Sequence, residues 1–269
     1  MMMSFLEYKF QLRRRVQSQF KRMLVNGSLS VISFGLIRLM FIPAMLWIAR
    51  LNENWHFGLN YLYDLPGWLE GIIAFVLLDY ANYWWHILNH FTFLWRFHNV
   101  HHTDLDLDVS TGLRFHFGEI FAAVIYRGAA VLLTGASPFL VLMYELFYEA
   151  AVAFHHSNTH IPVKTERLIN RIFVTPRMHG IHHSIVERET NSNYAVIFSF
   201  GDRLHHTTKF NVPQQDIIIG VPAYRDPKEL TFFSLLKMPF AKQRKWLSPD
   251  GSAPERLEKG NAGADQLVG

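Results

Sequence analysis

Cysteine is absent from the 269 residues, which excludes disulfides, thiolate metal ligands and a cysteine nucleophile, and leaves the redox compartment undetermined. Charge is sparse as well. The formal net charge is +4 and charged residues make up 18% of the chain. With no glycine-rich phosphate loop and no basic-aromatic strand pattern, no nucleic-acid reader is expected. Lysine and arginine are missing altogether from two stretches, Asn52 to Pro66 and Thr134 to Ser137, and no internal repeat of fixed period is present. Apolar surface is abundant instead: half the residues are hydrophobic and 15% are aromatic. That balance favours a membrane protein over an ordinary soluble domain.

The apolar runs predict an all-α integral membrane bundle of about four transmembrane helices. Ser28 to Ala49 is long and apolar enough to span a bilayer. Its one charge, Arg38, is expected to face the bundle interior or to snorkel. A second helix is expected from about Trp68 to Arg96, longer than a membrane needs, so its far end should emerge at a surface. Phe117–Leu133 and Pro138–Phe154 follow as a helical hairpin around the uncharged turn Thr134–Ser137, with Arg127 as its one buried base. Lysine and arginine concentrate at the N-terminus and after His155, which by the positive-inside rule puts both termini in the cytoplasm. Residues 1–27, with Arg13, Arg14, Arg15, Lys21 and Arg22 among apolar side chains, read as a basic amphipathic segment on a membrane surface and not as a cleavable signal. Residues 28–247 then form the main domain, with a helical cytosolic cap from 157 to about 245, and residues 248–269 read as a disordered tail.

Histidine is the conspicuous residue. Ten of the fifteen fall in four groups: His86 and His90; His98, His101 and His102; His156 and His160; His179, His182 and His183. On a helix, residues three and four apart share a face, so His86 and His90 can point at one spot and His98 can join His101 or His102. His155 points about 100° away from His156 and is left out. Imidazole alone does not choose among iron, zinc, copper and nickel, but ten ligands in four groups can saturate two metals and leave an exchangeable position. All four groups should lie at the cytosolic boundary. A non-catalytic transporter or sensor is the alternative, although a transporter would need ligands along a crossing path.

The motifs HILNH (86–90), HNVHH (98–102), HSNTH (156–160) and HGIHH (179–183), with STGLRFHFGE (110–119) and RETNSNYA (188–195), resemble the fatty acid hydroxylase or sterol desaturase superfamily. The resemblance runs from about Asp79 to Thr207. It carries over as metal ligands His86, His90, His98, His101, His102, His156, His160, His179, His182 and His183. It implies two iron ions, O2 as co-substrate, and hydroxylation or desaturation of a membrane lipid such as a sterol, a sphingolipid or a fatty acyl chain, in a bacterial inner membrane or the endoplasmic reticulum. The membrane acyl-lipid desaturases place their first two histidine boxes much further apart than His90 and His98. Ala195, Gly201 and the His205-His206 pair depart from the superfamily pattern and bear on the closing segment more than on the metal site. An inactive member with a scaffold role is a further alternative, against which the full ligand set argues.

Imidazoles bring no charge to offset two metal ions, so carboxylates are expected nearby. Asp79 shares a helical face with Tyr83, His86 and His90 and is the first candidate to support them, with a helix-pairing role as its alternative. His116, Asn158 and Asn193 are expected to hydrogen-bond around the site, and Glu119, Glu145 and Glu149 are weaker carboxylate candidates. With no haem or flavin signature in the chain, electrons must come from outside, through a cytochrome b5-like protein or a ferredoxin with its reductase.

Overall fold

The computed structural model describes residues 2–91 and 93–256. The expectation for the Arg38 side chain lies outside the described residues, as does the stretch 257–269 of the tail. Every regular element among the described residues is helical; the only pairings of extended chain are isolated bridges, such as Gln11 with Thr159. Short α1 (Met2–Lys9) leads into an extended strap, and α2 (Gln19–Leu36) then runs through a π-type turn at Ile37–Phe41 into α3 (Ile42–Trp55). The widened turn falls just before Pro43, which cannot donate to the helical ladder. The stretch Gln19–Tyr61 and α6 (Phe117–Thr134) are the two candidates long and apolar enough to cross a membrane.

Two further long helices pack with them. They are α4 (Gly67–Phe91) and α7 (Pro138–His156), each diluted by polar residues such as Asp79, Asn82 and His86 or Glu145 and His155. Helix α6 packs on α3 and α4, and α7 packs on α3. Met45, Leu78, Ile120, Val131, Val141 and Tyr144 fill the space between them. Gly135, at φ 73°, ends α6, and Ser137 caps α7 by accepting from Leu140 N. A Cβ on Gly58 (φ 109°) would fall 2.4 Å from Gly135 Cα, so two glycines let the loop after α3 lie on this hairpin turn.

The expected single helix to Arg96 is broken. Helix α4 stops at Phe91, and after a turn α5 (Trp95–His102) begins. The turn lets the chain double back, so the histidines of α5 face those of α4. Beyond α7 come the short helices α8 (Val163–Ile169), α9 (Pro176–His182), α10 (Glu187–Thr190), α11 (Phe200–Leu204) and α12 (Phe232–Lys237), joined by loops.

The N-terminal segment turns two of its arginines inward, where a surface amphipathic helix would leave them in water. Arg22 is buried and binds Asp104 through Nε (2.7 Å) and Nη2 (2.8 Å) and Asp108 through Nη1 (2.6 Å). Asp106 accepts from the backbone of Val16 and Gln17 at 2.9 and 2.8 Å. The alternating Asp104, Asp106 and Asp108 thus supply the acceptors that an inward strap requires. Arg13 is buried too, donating to Pro176 O and Gln214 Oε1.

Candidate metal centre

Nine histidines meet where α4, α5, α7 and α9 converge. They form two adjoining groups: His86, His90, His98, His102 and His182 in the first, and His101, His156, His179 and His183 in the second. In each group one nitrogen per residue lies within 4.8 Å of all the others. The helices divide their histidines in a crossed manner. On α5, His98 and His102 go to the first group and His101 to the second; on α9, His179 goes to the second, with His183 just past the helix end, and His182 to the first. The i and i+4 positions share a face, and the residue beside the second of them is turned toward the neighbouring group. The groups touch, with the His102 and His183 rings stacked at 4.4 Å.

Within the second group, Nε2 of His156 lies 3.0 Å from that of His101 and 3.0 Å from that of His179, and His179 lies 3.1 Å from His183. In the first group, His98 and His102 approach to 3.2 Å. Ligand nitrogens about 2.0–2.1 Å from one shared ion sit roughly 3.0–3.4 Å apart at its corners. The donor set therefore fits a metal in each group. Nε2 of His90 and of His182 is buried with no hydrogen-bond partner, which a metal would resolve.

Backbone carbonyls orient the rings. Nδ1 of His86 donates to Tyr194 O (2.6 Å), that of His182 to Ser192 O (2.7 Å) and that of His156 to Val152 O (2.8 Å). A carbonyl can only accept, so these Nδ1 atoms carry the proton and Nε2 is left as a base. Nδ1 of His98 lies 3.1 Å from Glu119 Oε1, and that of His90 lies 3.3 Å from Asn191 Oδ1. Burial, reinforced by neighbouring imidazoles, holds His101, His102, His179, His182 and His183 well below the ordinary imidazole pKa. They are therefore neutral and ready to ligate at pH 7.

The sequence that builds this centre has relatives. Residues 71–207, half of the chain, match the family described as fatty acid hydroxylase. The chain belongs to the fatty acid hydroxylase family. It is 29% identical over 177 residues to alkylglycerol monooxygenase of Danio rerio, covering 65% of this chain and 38% of the relative. To ornithine lipid hydroxylase OlsE of Rhizobium tropici it is 35% identical over 142 residues, 52% of this chain and 41% of the relative. Methylsterol monooxygenase 1-3 of Arabidopsis thaliana is 26% identical over 203 residues, 74% of this chain and 63% of the relative. The match thus spans less than half the length of the first two. No solved structure matches the chain.

One expected ligand of this family member stands apart. His160 is exposed and outside both groups, because α7 ends at His156 and the extended Ser157 (ψ 148°) breaks the helical spacing that would have paired them. His155 is the reverse case. It is buried, with its ring 4.1 Å from that of His179, and Nδ1 is held by Val196 O at 3.1 Å. Helical periodicity gave no signal for it, because a helix end enclosed on several sides buries adjacent positions together.

The expected supporting residues act one step further out. Asp79 accepts from Ile197 N (3.2 Å) and Phe198 N (3.0 Å), and Asp202 accepts from Tyr194 N (2.8 Å) and Ala195 N (3.0 Å). Asn193, at φ 53°, donates to Met178 O and Lys209 O. Together they fix the stretch 192–198, whose carbonyls hold His86, His155 and His182. Tyr83 hydrogen-bonds Thr207 and packs on Tyr194. Asn158 ties the strap through Arg13 N and O (2.9 and 2.8 Å). His116 caps α6 by accepting from Gly118 N, so its other nitrogen, Nε2, donates to Leu236 O. Arg127 pairs with Glu145 at 2.5 Å and not with Asp79.

A cavity reaches this centre. It is lined by His86, His98, His101, His156 and His179 together with Trp85, Phe115, Glu119 and Tyr148. The last four also line a second cavity between the long helices, whose other lining residues are the apolar Ile37, Phe41, Ile120 and Ala123 and the charged Arg127, Glu145 and Glu149.

Proposed function

We propose that this chain is an O2-dependent hydroxylase, or desaturase, of a membrane lipid, with two iron ions held by the two histidine groups. The observation that carries the reading is the join between the cavities, which links apolar helices to the faces of both groups. When bound, the iron pair supplies O2 activation and oxidation of a C–H bond. The protein's part is positional. The carbonyls of Ser192, Tyr194 and Val152 keep His182, His86 and His156 as Nε2 bases, and Glu119 holds His98. Trp85, Phe115 and Tyr148 wall the passage, exclude water and align an apolar chain with the histidines. The named relatives act on an alkylglycerol, an ornithine lipid and a methylsterol, which supports a lipid as substrate.

The membrane arrangement belongs to the same proposal. The α2–α3 stretch, α4, α6 and α7 cross the bilayer, and the histidines and both termini face the cytosol, as the lysine and arginine distribution implies. Electrons arrive from a separate carrier. The test is purified full-length protein loaded with iron and given reductant, O2 and a lipid extract, read by elemental analysis and mass spectrometry. Two irons per chain and an oxygenated or dehydrogenated lipid that forms only with O2 are expected. A single ion in fully loaded protein, or O2 uptake with no lipid product, would overturn the reading.

A further inference from the structure

On that reading, the reaction consumes electrons: RH + O2 + 2 H+ + 2 e− gives ROH and water. A C–H and the O–O bond break, C–O and O–H bonds form, the protons come from water, and two one-electron carriers are oxidised. The cavity that would admit lipid meets His86 and His98 of the first group. A different side chain meets the other histidines of that group. The Trp95 ring lies 5.1 Å from His90 and 5.3 Å from His102, and 5.8 Å from Trp246 on its outer side.

Trp246 sits in the segment that crosses α5. The preceding stretch Met238–Phe240 packs on α5, Gln243 accepts from Asn99 of α5 at 3.2 Å, and Trp246 Nε1 donates to Ile185 O at 2.8 Å. Exposed Lys237, Lys242 and Lys245 border the same segment. Arg244 there is matched by Glu229 at 2.8 and 3.0 Å, and Asp250 and Glu255 follow further along the tail. The surface over Trp246 is therefore net basic, and the two tryptophans make an unbroken aromatic contact from it to the first histidine group.

We infer that this face docks an acidic one-electron carrier protein, and that Trp246 and Trp95 carry its electrons to the His90 and His102 side of the centre. Electron tunnelling falls off steeply with distance, so rings in contact between a docked carrier and a buried centre shorten the gap that matters. Lysines flanking the entry steer an acidic partner by long-range attraction. An anionic membrane surface would also attract these lysines, and tryptophan suits a membrane interface, but Trp246 turns its Nε1 to Ile185 O and its ring to Trp95. Lipid and electrons then enter from different sides, and neither blocks the other.

The experiment mixes full-length, iron-loaded, oxidised protein anaerobically with reduced plant-type [2Fe–2S] ferredoxin and follows ferredoxin reoxidation. Complex formation is read separately, as binding of oxidised ferredoxin to the same protein in nanodiscs. Lys242→Glu with Lys245→Glu is expected to slow reoxidation on the order of 10-fold at low salt, and to weaken binding in step. The difference should shrink as salt rises above about 0.1 M. Trp246→Leu should lower the limiting rate at saturating ferredoxin without changing the half-saturating concentration. Trp246→Phe, which also loses the bond to Ile185 but keeps a ring, should restore most of that rate. Ferredoxin rates and binding unchanged across all variants would overturn the inference, as would lysine variants that lose only their binding to phosphatidylserine vesicles. Reduction by dithionite bypasses docking. If dithionite-reduced wild type oxygenates no lipid, the proposed function fails; if it does while the ferredoxin rates are indifferent to the variants, only the docking face fails.

Discussion

Backbone carbonyls hold Nδ1 of His86, His156 and His182 and side chains hold that of His98 and His90, whereas Nδ1 of His101, His179 and His183 is buried without a hydrogen-bond partner. This changes what Asp79 means. Its carboxylate touches no imidazole; it accepts two backbone N–H groups of the stretch whose carbonyls orient His86, His155 and His182. In Asp79→Asn one oxygen is exchanged for an NH2 group that faces a backbone N–H, so the stretch must shift. Metal affinity or turnover is expected to fall on the order of 10–100-fold with the fold retained, as for other partners that orient ligands. Full metal content and full turnover would leave Asp79 with only a packing role. The paired comparison is His156→Ala against His160→Ala. The first should cost one metal per chain and the second none, read by elemental analysis, because only His156 brings Nε2 within 3.0 Å of other imidazoles.

At the scale of elements, the centre depends on pieces that do not themselves ligate. The turn between α4 and α5 folds the histidines of α5 back onto those of α4, and the strap before α2 closes over the ends of α7 and α9. Arg22 anchors the start of α2 to Asp104 and Asp108, all three buried. Replacing it with methionine fills the space but strands two carboxylates away from water. A loss of about 3–5 kcal/mol is expected, the usual cost of removing one partner from a buried pair, measured by denaturation in detergent with metal bound. Unchanged stability would show that solvent reaches Asp104 and Asp108 and that the strap is not held there.

For the whole molecule, assembling so many imidazoles in a dry interior has a signature in pH. His101, His102, His179, His182 and His183 are held well below the ordinary value by burial and by one another. In the unfolded chain they titrate near about 6.5. Below that pH the unfolded state binds more protons than the folded one, so stability falls as pH falls, with a slope set by the number of histidines that protonate only on unfolding. Metal-free protein should therefore melt at progressively lower temperature from about pH 6.5 down to pH 5, and added metal should offset the loss. A melting temperature flat across that range would mean that the histidines are already protonated or open to solvent when folded.

The amino-acid sequence by itself marked the helical architecture, the family and the histidine cluster. Apolar runs of bilayer length mark the long helices, and histidines at separations of three and four mark a metal centre, because both signals are local and repeat with the helix period. Nine of the ten histidines singled out by spacing do meet. His160 does not, because the helical spacing ends with α7 at His156, and His155, still on α7, is buried because that helix end is enclosed on several sides. Tertiary structure alone decided how the histidines divide between the two groups, that Arg13 and Arg22 turn inward, that Glu119 meets His98, and that the carbonyls of 192–196 orient the rings. Those contacts join residues tens to hundreds of positions apart. Each is settled by which buried donor can reach which acceptor once the helices have packed, and no pattern along the chain encodes that.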